Sequence, residues 1–154
     1  MNIAYDLDGV IIPLLKRTKP FYRYSGIERK RYEKVRLWQY ANDKVYYRPK
    51  ESEFYIISAR QEKYRIVTEE WMDKNDIRPI EAILMNASLT FEHIIAHKLK
   101  YLKEKDIELY YEDDPKIIKA LKKELPKINI VEIPRTPQSV KTEEDITKEY
   151  PNIF

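Results

Sequence analysis

Two aspartates, Asp6 and Asp8, stand two residues apart near the start of the chain. In a strand, residues i and i+2 project to the same side. The pair can therefore serve one reacting group. Asp113 and Asp114, with Glu112 just before them, follow an apolar run, and Ser58 follows another. Carboxylates that converge in one place repel each other unless a cation intervenes. Oxygen-only donors without cysteine favour a hard ion, and Mg²⁺ held by one or two carboxylates together with phosphate oxygens is the usual arrangement. Taken singly, each aspartate reads equally as a loop or helix-cap residue. The set, placed after three separate strands, reads as a phosphate site.

Strand patterns cover Met1–Leu7, Phe54–Ile57, Ala82–Met85, Ile107–Tyr111 and Ile128–Ile133. Helical spacing covers Glu28–Asn42, Glu62–Asn75, Thr90–Lys105 and Lys116–Leu125. This alternation predicts an α/β domain of three layers, a parallel sheet flanked by helices. In such a sheet ligands bind outside the carboxyl ends of the strands, where all the polar residues above fall. Residues 1–133 are expected to form one domain, with about 13–50 supplying a flap and a small helical insertion. Residues 134–154, polar and rich in proline, are expected to form a tail packed on it.

Helix register puts Lys98, and not Lys100, on the buried face. At ~100° per residue Lys98 falls at about 340° from Phe91, inside the stripe of Ile94, Ile95, Leu99 and Leu102. Lys100 falls at about 180° and faces away. A lysine on the buried face needs a partner, and a carboxylate cluster provides one; a lysine that snorkels at the stripe's edge is the plainer alternative. His93 and His97 have the i, i+4 spacing of a zinc helix, but Ile94 stands where the glutamate of HExxH would be, so they read as surface or packing residues. Arg60 either holds a substrate phosphate or base, or caps a helix or pairs with Glu62.

These residues resemble the motifs of the haloacid dehalogenase superfamily of phosphohydrolases. Tyr5-Asp6-Leu7-Asp8-Gly9-Val10 is similar to its DxDG(V/T) motif, Ile56-Ile57-Ser58-Ala59-Arg60 to its second, Lys98 to its third-motif lysine, and Tyr110-Tyr111-Glu112-Asp113-Asp114-Pro115 to its acidic fourth. The resemblance implies that Asp6 attacks phosphorus and forms an aspartyl-phosphate, and that Asp8 is the general acid and base. It implies Mg²⁺ bound by Asp6, the main-chain carbonyl of Asp8 and a fourth-motif aspartate, Asp113 before Asp114, with Glu112 third. Ser58, Ala59 and Arg60 would line the phosphate, and Lys98 would neutralise charge. The family usually places this lysine near a helix start, whereas the helix here begins several residues earlier. The two-component receiver, a competing fold, needs an aspartate where Ser58 stands.

The short segments between motifs leave room for no cap or a very small one, which suits a phosphate at the end of a large molecule. The Ser-Ala-Arg and Asp-Asp motifs are similar to those of polynucleotide 3′-phosphatase domains and 5′-nucleotidases. Lys16–Lys30 interleaves basic residues with Phe21, Tyr22 and Tyr24, as do surfaces that follow a nucleic-acid backbone and stack its bases; a solvated helix and loop has the same composition. The expected function is thus a Mg²⁺-dependent phosphatase for a nucleotide or nucleic-acid end. A non-catalytic nucleotide- or nucleic-acid-binding module on the same fold, and a phosphatase for a sugar phosphate or other small metabolite, are the alternatives.

Composition bounds these readings. There is no cysteine, so disulfides, thiolate metal sites and cysteine nucleophiles are excluded. With only two glycines, Gly9 and Gly26, the GxxxxGK and GxGxxG phosphate loops are excluded too. No apolar run approaches a membrane span, and the opening strand is unlike a signal peptide, which fits a cytoplasmic protein without a membrane partner. The net charge of +3 by itself names no partner.

Overall fold

The computed structural model describes residues 1–154. Five strands, β1 (Ile3–Tyr5), β3 (Tyr55–Gln61), β4 (Glu81–Met85), β5 (Leu109–Glu112) and β6 (Asn129–Glu132), form one sheet of order β4-β3-β1-β5-β6. Every pairing in it is parallel. Helix α2 (Arg65–Lys74) packs on one face and helices α3 (Phe91–Glu104) and α4 (Pro115–Glu124) on the other, so the fold is a Rossmann-like three-layer α/β domain, and helix α1 (Gly26–Asn42) lies outside it against α2. A second, two-stranded sheet pairs β2 (Leu14–Lys16) with β7 (Val140–Thr142), also in parallel. A short helix, α5 (Glu143–Glu149), follows.

Both faces of a parallel sheet are covered, so its strands are apolar throughout. One face carries Tyr5, Leu7, Phe54, Ile56, Trp71 and Tyr111. Tyr5 and Tyr111, register partners on adjacent strands, stack with ring centroids 4.2 Å apart. The other face carries Ala4, Ile57, Ile83, Tyr110 and the inward residues Leu102, Ile117 and Leu121 of α3 and α4. The abundance of tyrosine is thus largely core chemistry.

A third cluster lies apart from the sheet. Leu15, Tyr24, Tyr32 and Val35 from the early insertion pack against Ile146 and Ile153 from the end of the chain. Each buried isoleucine contributes about 1.5–3 kcal/mol. Residues 134–154 are therefore built into the fold by a strand, a helix and an apolar core shared with the insertion. Helix α1 starts on a capping box between Ser25 and Glu28, and α5 on one between Thr142 and Asp145.

Two elements depart from the sequence reading. The strand expected to stop at Ser58 continues to Gln61, with its register against β4 broken between Ile57 and Gln61. That irregularity sets Ser58-Ala59-Arg60 along the end of the sheet rather than after it. The β2–β7 pair is too short to carry a period, and no pattern announces it.

Candidate active site

Strand β1 ends at Tyr5, and the Asp6 amide still donates to the Tyr111 carbonyl (2.9 Å), which holds Asp6 at the sheet's end. The chain then reverses tightly. The amides of Val10, Ile11 and Ile12 all point at the Leu7 carbonyl, and Gly9 adopts φ +86°. A Cβ on Gly9 would sit 2.2 Å from Asp113 Oδ2, so this position needs glycine on both counts. Gly9→Ala is expected to cost at least ~1 kcal/mol of stability and to displace Asp113. Thermal melting and a Mg²⁺ titration check this; an unchanged midpoint together with an unchanged affinity would contradict it.

Asp6, Glu112 and Asp113 bring one carboxylate oxygen each to within 4.8 Å of one another, all buried. Lys98, 1% exposed, reaches them from the middle of α3. Its ammonium donates to Glu112 Oε2 at 2.5 Å and lies 3.3 Å from Asp6 Oδ1. Burial pushes Lys98 down, but Asp6 and Glu112 outweigh it, so the group sits above its ordinary range and stays charged. Burial pushes Glu112 up, and Lys98 overrides it and holds that carboxyl below its usual value. Asp6 has no such close partner; burial, then the Glu112 charge, raise it well above the carboxylate range.

Glu112 is the residue that sequence reasoning underrated. Besides Lys98 it accepts from Tyr110 Oη (3.2 Å) and from the amides of Asp113 and Asp114. Asp114 is put to another use: it caps α4, accepting from the Lys116 amide at 2.9 Å, and stands outside the carboxylate group. Asp113 faces the group and accepts from Arg135 Nε at 3.0 Å. Arg135 lies beyond every motif, and no signal in the sequence marks it.

Burial, then the charge on Glu112, push Asp113 up to about 7. A raised carboxyl keeps its proton in the folded state where the unfolded chain has lost it, so stability falls as pH rises from about 4 to about 7. Half-buried His97, lowered by burial, acts in the opposite sense near its own range. Thermal melts of the metal-free protein at pH 5 and pH 8, compared with those of Asp113→Asn, isolate the carboxyl. The wild type should lose more stability than the variant on going to pH 8. Parallel curves would contradict the assignment.

Asp8 lies beside this centre, held by Arg60 through two bonds, Nε to Oδ2 at 3.2 Å and Nη2 to Oδ1 at 2.6 Å. Arg60 also donates to Thr68 (2.8 Å), and its guanidinium centre lies 3.5 Å from the Tyr40 ring centroid. With 1% of its side chain exposed, Arg60 is bonded to Asp8 and Thr68, and Glu62 pairs with Arg65 instead. Ser58 accepts from the Arg60 amide at 2.9 Å, while its own hydroxyl hydrogen has no protein acceptor. His97 bonds the Ser58 carbonyl at 2.9 Å, and exposed His93 pairs with Ser88.

These groups line a cavity of about 240 Å³. Asp6, Asp8, Ser58, Ala59, Arg60, Lys98, Asp113 and Asp114 all border it. One part of its wall is supplied by the insertion, through Leu14, Leu15, Arg36 and Tyr40, and another by Tyr64, Leu89, Ile94 and Ile117. Three carboxylates against the Lys98 ammonium and the Arg135 guanidinium leave the centre short of positive charge, and its donors are all oxygen, so Asp6 and Asp113 fit a hard divalent cation.

No protein-family model and no curated protein matches the chain. Among solved structures, a chain of "Structure of the Pnkp1/Rnl/Hen1 RNA repair complex" is similar over 86% of this chain and 42% of its own, with TM-score 0.54 and 14% identity. A chain of "Structure of Pnkp1/Rnl/Hen1 complex" is similar over 86% and 45%, with TM-score 0.53 and 16% identity. Both likenesses are of fold, and the chain spans less than half the length of either neighbour. No helix is long and apolar enough to cross a membrane.

Proposed function

We propose that the protein is a Mg²⁺-dependent phosphomonoesterase of the haloacid dehalogenase type, acting on a phosphorylated nucleotide or nucleic-acid end. The observation that carries this reading is the buried Lys98 among Asp6, Glu112 and Asp113, with Asp8 two residues from Asp6 at the open end of the sheet. A buried ammonium among three carboxylates is costly to fold, and a phosphoryl group gives it a use.

In this reading an Asp6 oxygen attacks phosphorus in line. The new O–P bond forms as the ester P–O bond breaks, and the leaving oxygen takes a proton from Asp8. Water then attacks the aspartyl-phosphate and gives a proton to Asp8, and the Asp6–phosphorus bond breaks to release inorganic phosphate. Arg60 fixes the Asp8 carboxylate, the free hydroxyl of Ser58 donates to a phosphoryl oxygen, and Lys98 offsets charge on the phosphoryl group and on Asp6. Asp6, Asp113 and the main-chain carbonyl of Asp8 would hold the Mg²⁺, which when bound supplies positive charge against the phosphoryl oxygens. Residues 1–133 would form the catalytic domain, with the insertion as its flap.

Hydrolysis of p-nitrophenyl phosphate, mononucleotides and phosphorylated oligonucleotides, with Mg²⁺ and with chelator, tests the proposal. Turnover that needs Mg²⁺ supports it. No turnover of any of these, with wild type and Asp6→Asn indistinguishable, overturns it.

A further inference from the structure

The charge of this molecule is segregated. Residues 16–36 hold nine basic residues against two acidic ones, a net +7 in a chain whose total is +3, so the remainder carries −4. Both acids in the segment are engaged locally. Glu28 completes the cap of α1 and bonds Lys19 at 2.7 Å. Glu33 accepts from Tyr64 Oη at 2.7 Å and lies 3.6 Å from Arg36. Lys16, Arg17, Arg23, Arg29, Lys30 and Lys34 are exposed and have no carboxylate partner, although the chain contains 26 acids.

Aromatic rings lie among these cations. Tyr22 is 75% exposed and Phe21 36%. Arg17 and Arg29 flank the Phe21 ring at 5.4 and 4.9 Å, and Arg23 lies 5.9 Å from the Tyr22 ring. Phe21 rests edge-on against buried Tyr32, so the platform is anchored on the third apolar cluster. The same elements reach the cavity. Leu14 and Leu15 line it immediately before Lys16, and Arg36 lines it from the far part of α1.

We infer that residues 16–34 form a platform for single-stranded nucleic acid whose phosphorylated terminus enters the cavity. The inference rests on the phosphatase reading and names its substrate class. A flexible polyanion matches unpaired cations set along a path, and its bases stack on rings without regard to sequence. An anionic vesicle surface is the competing partner for a basic face, and exposed Tyr22 and Phe21 suit either.

The test uses the full chain. Binding of single-stranded RNA and DNA oligonucleotides to Asp6→Asn is followed by fluorescence anisotropy across a salt series. Log affinity should fall with log salt, with a slope of about −0.7 per phosphate contacted. The triple variant Arg17→Gln/Arg23→Gln/Arg29→Gln in that background should bind at least ~10-fold more weakly and shallow the slope by roughly 2. Tyr22→Ala should weaken binding at unchanged slope. Neutralising Lys119, Lys122 and Lys123 on exposed positions of α4 should do neither. In the active protein, the triple variant should lower kcat/KM for a phosphorylated oligonucleotide relative to that for p-nitrophenyl phosphate. Equal effects of the two triple variants, an unchanged ratio, or tighter association with anionic vesicles than with oligonucleotides would each overturn the platform while p-nitrophenyl phosphate is still hydrolysed. Loss of all hydrolysis by the wild type would instead overturn the phosphatase reading, and the anisotropy series would still decide the platform.

Discussion

Lys98→Met should be the most destabilising single change in the site, by about 3–5 kcal/mol, because it leaves Glu112 and Asp6 buried without their cation, Arg135 reaching only Asp113. For a chain of this size that corresponds to a fall in Tm of roughly 6–20 °C. Methionine replaces the length of the lysine stem, so the loss is electrostatic more than steric. The missing charge is also one that a divalent ion can supply. Mg²⁺ should therefore raise the Tm of Lys98→Met more than that of the wild type. A fall equivalent to less than ~1 kcal/mol would show that the carboxylates discharge by protonation instead, and that Lys98 is not what keeps the centre folded.

Asp6→Asn should separate stability from activity. Asp6 is held above its ordinary range by burial and by Glu112, and its distance to Lys98, 3.3 Å, is the longer of the lysine's two ion pairs. An amide removes a poorly paired buried charge and leaves the Lys98–Glu112 pair intact. The metal-free variant should melt above the wild type near pH 8, where repulsion is greatest. Under the proposed mechanism phosphomonoester hydrolysis should fall by at least ~10³-fold, as removal of a covalent nucleophile does. A variant that melts lower at every pH would mean that Asp6 is a structural ion-pair partner. Gains in stability on neutralising a catalytic carboxylate are a known form of the trade-off between folding and function.

Most of the main sheet is legible in the chain. The apolar runs at 54–57, 82–85 and 107–111 fall within or beside β3, β4 and β5, and α3 and α4 match their periodic segments within two residues. Long periodic elements carry their own signal. The place of Lys98 in the apolar stripe is legible for the same reason, and the structure buries it against Glu112 and Asp6 rather than letting it snorkel. Its partner is not legible. Glu112, Asp113 and Asp114 are adjacent, and only the turn of the chain between β5 and α4 decides which faces Lys98 and which caps the helix. Arg60 is similar: a neighbour in sequence, Glu62, competes with one across the sheet, Asp8, and the buried bidentate geometry favours the distant one. Residues 134–154 read as a polar tail because their contribution to the core is two isolated isoleucines, Ile146 and Ile153, too few to make a pattern.

The pairing of residues 14–16 with 140–142 has a bearing on how the molecule comes into being. It closes a loop of nearly the whole chain, and such contacts form slowly because their entropy must be lost before they repay it. The sheet that carries Asp6, Ser58, Glu112 and Asp113 needs nothing beyond β6, whereas the insertion finds its core only when Ile146 and Ile153 arrive. Contact order therefore favours forming the centre before its enclosure. The chain's two tryptophans happen to sit one in each stage, Trp71 in the sheet's core and Trp38 against Tyr150, with ring centroids 4.1 Å apart, beside the late one. The enclosure of the site is thus fastened by residues 140–153, whereas its carboxylates sit on a sheet already complete at β6.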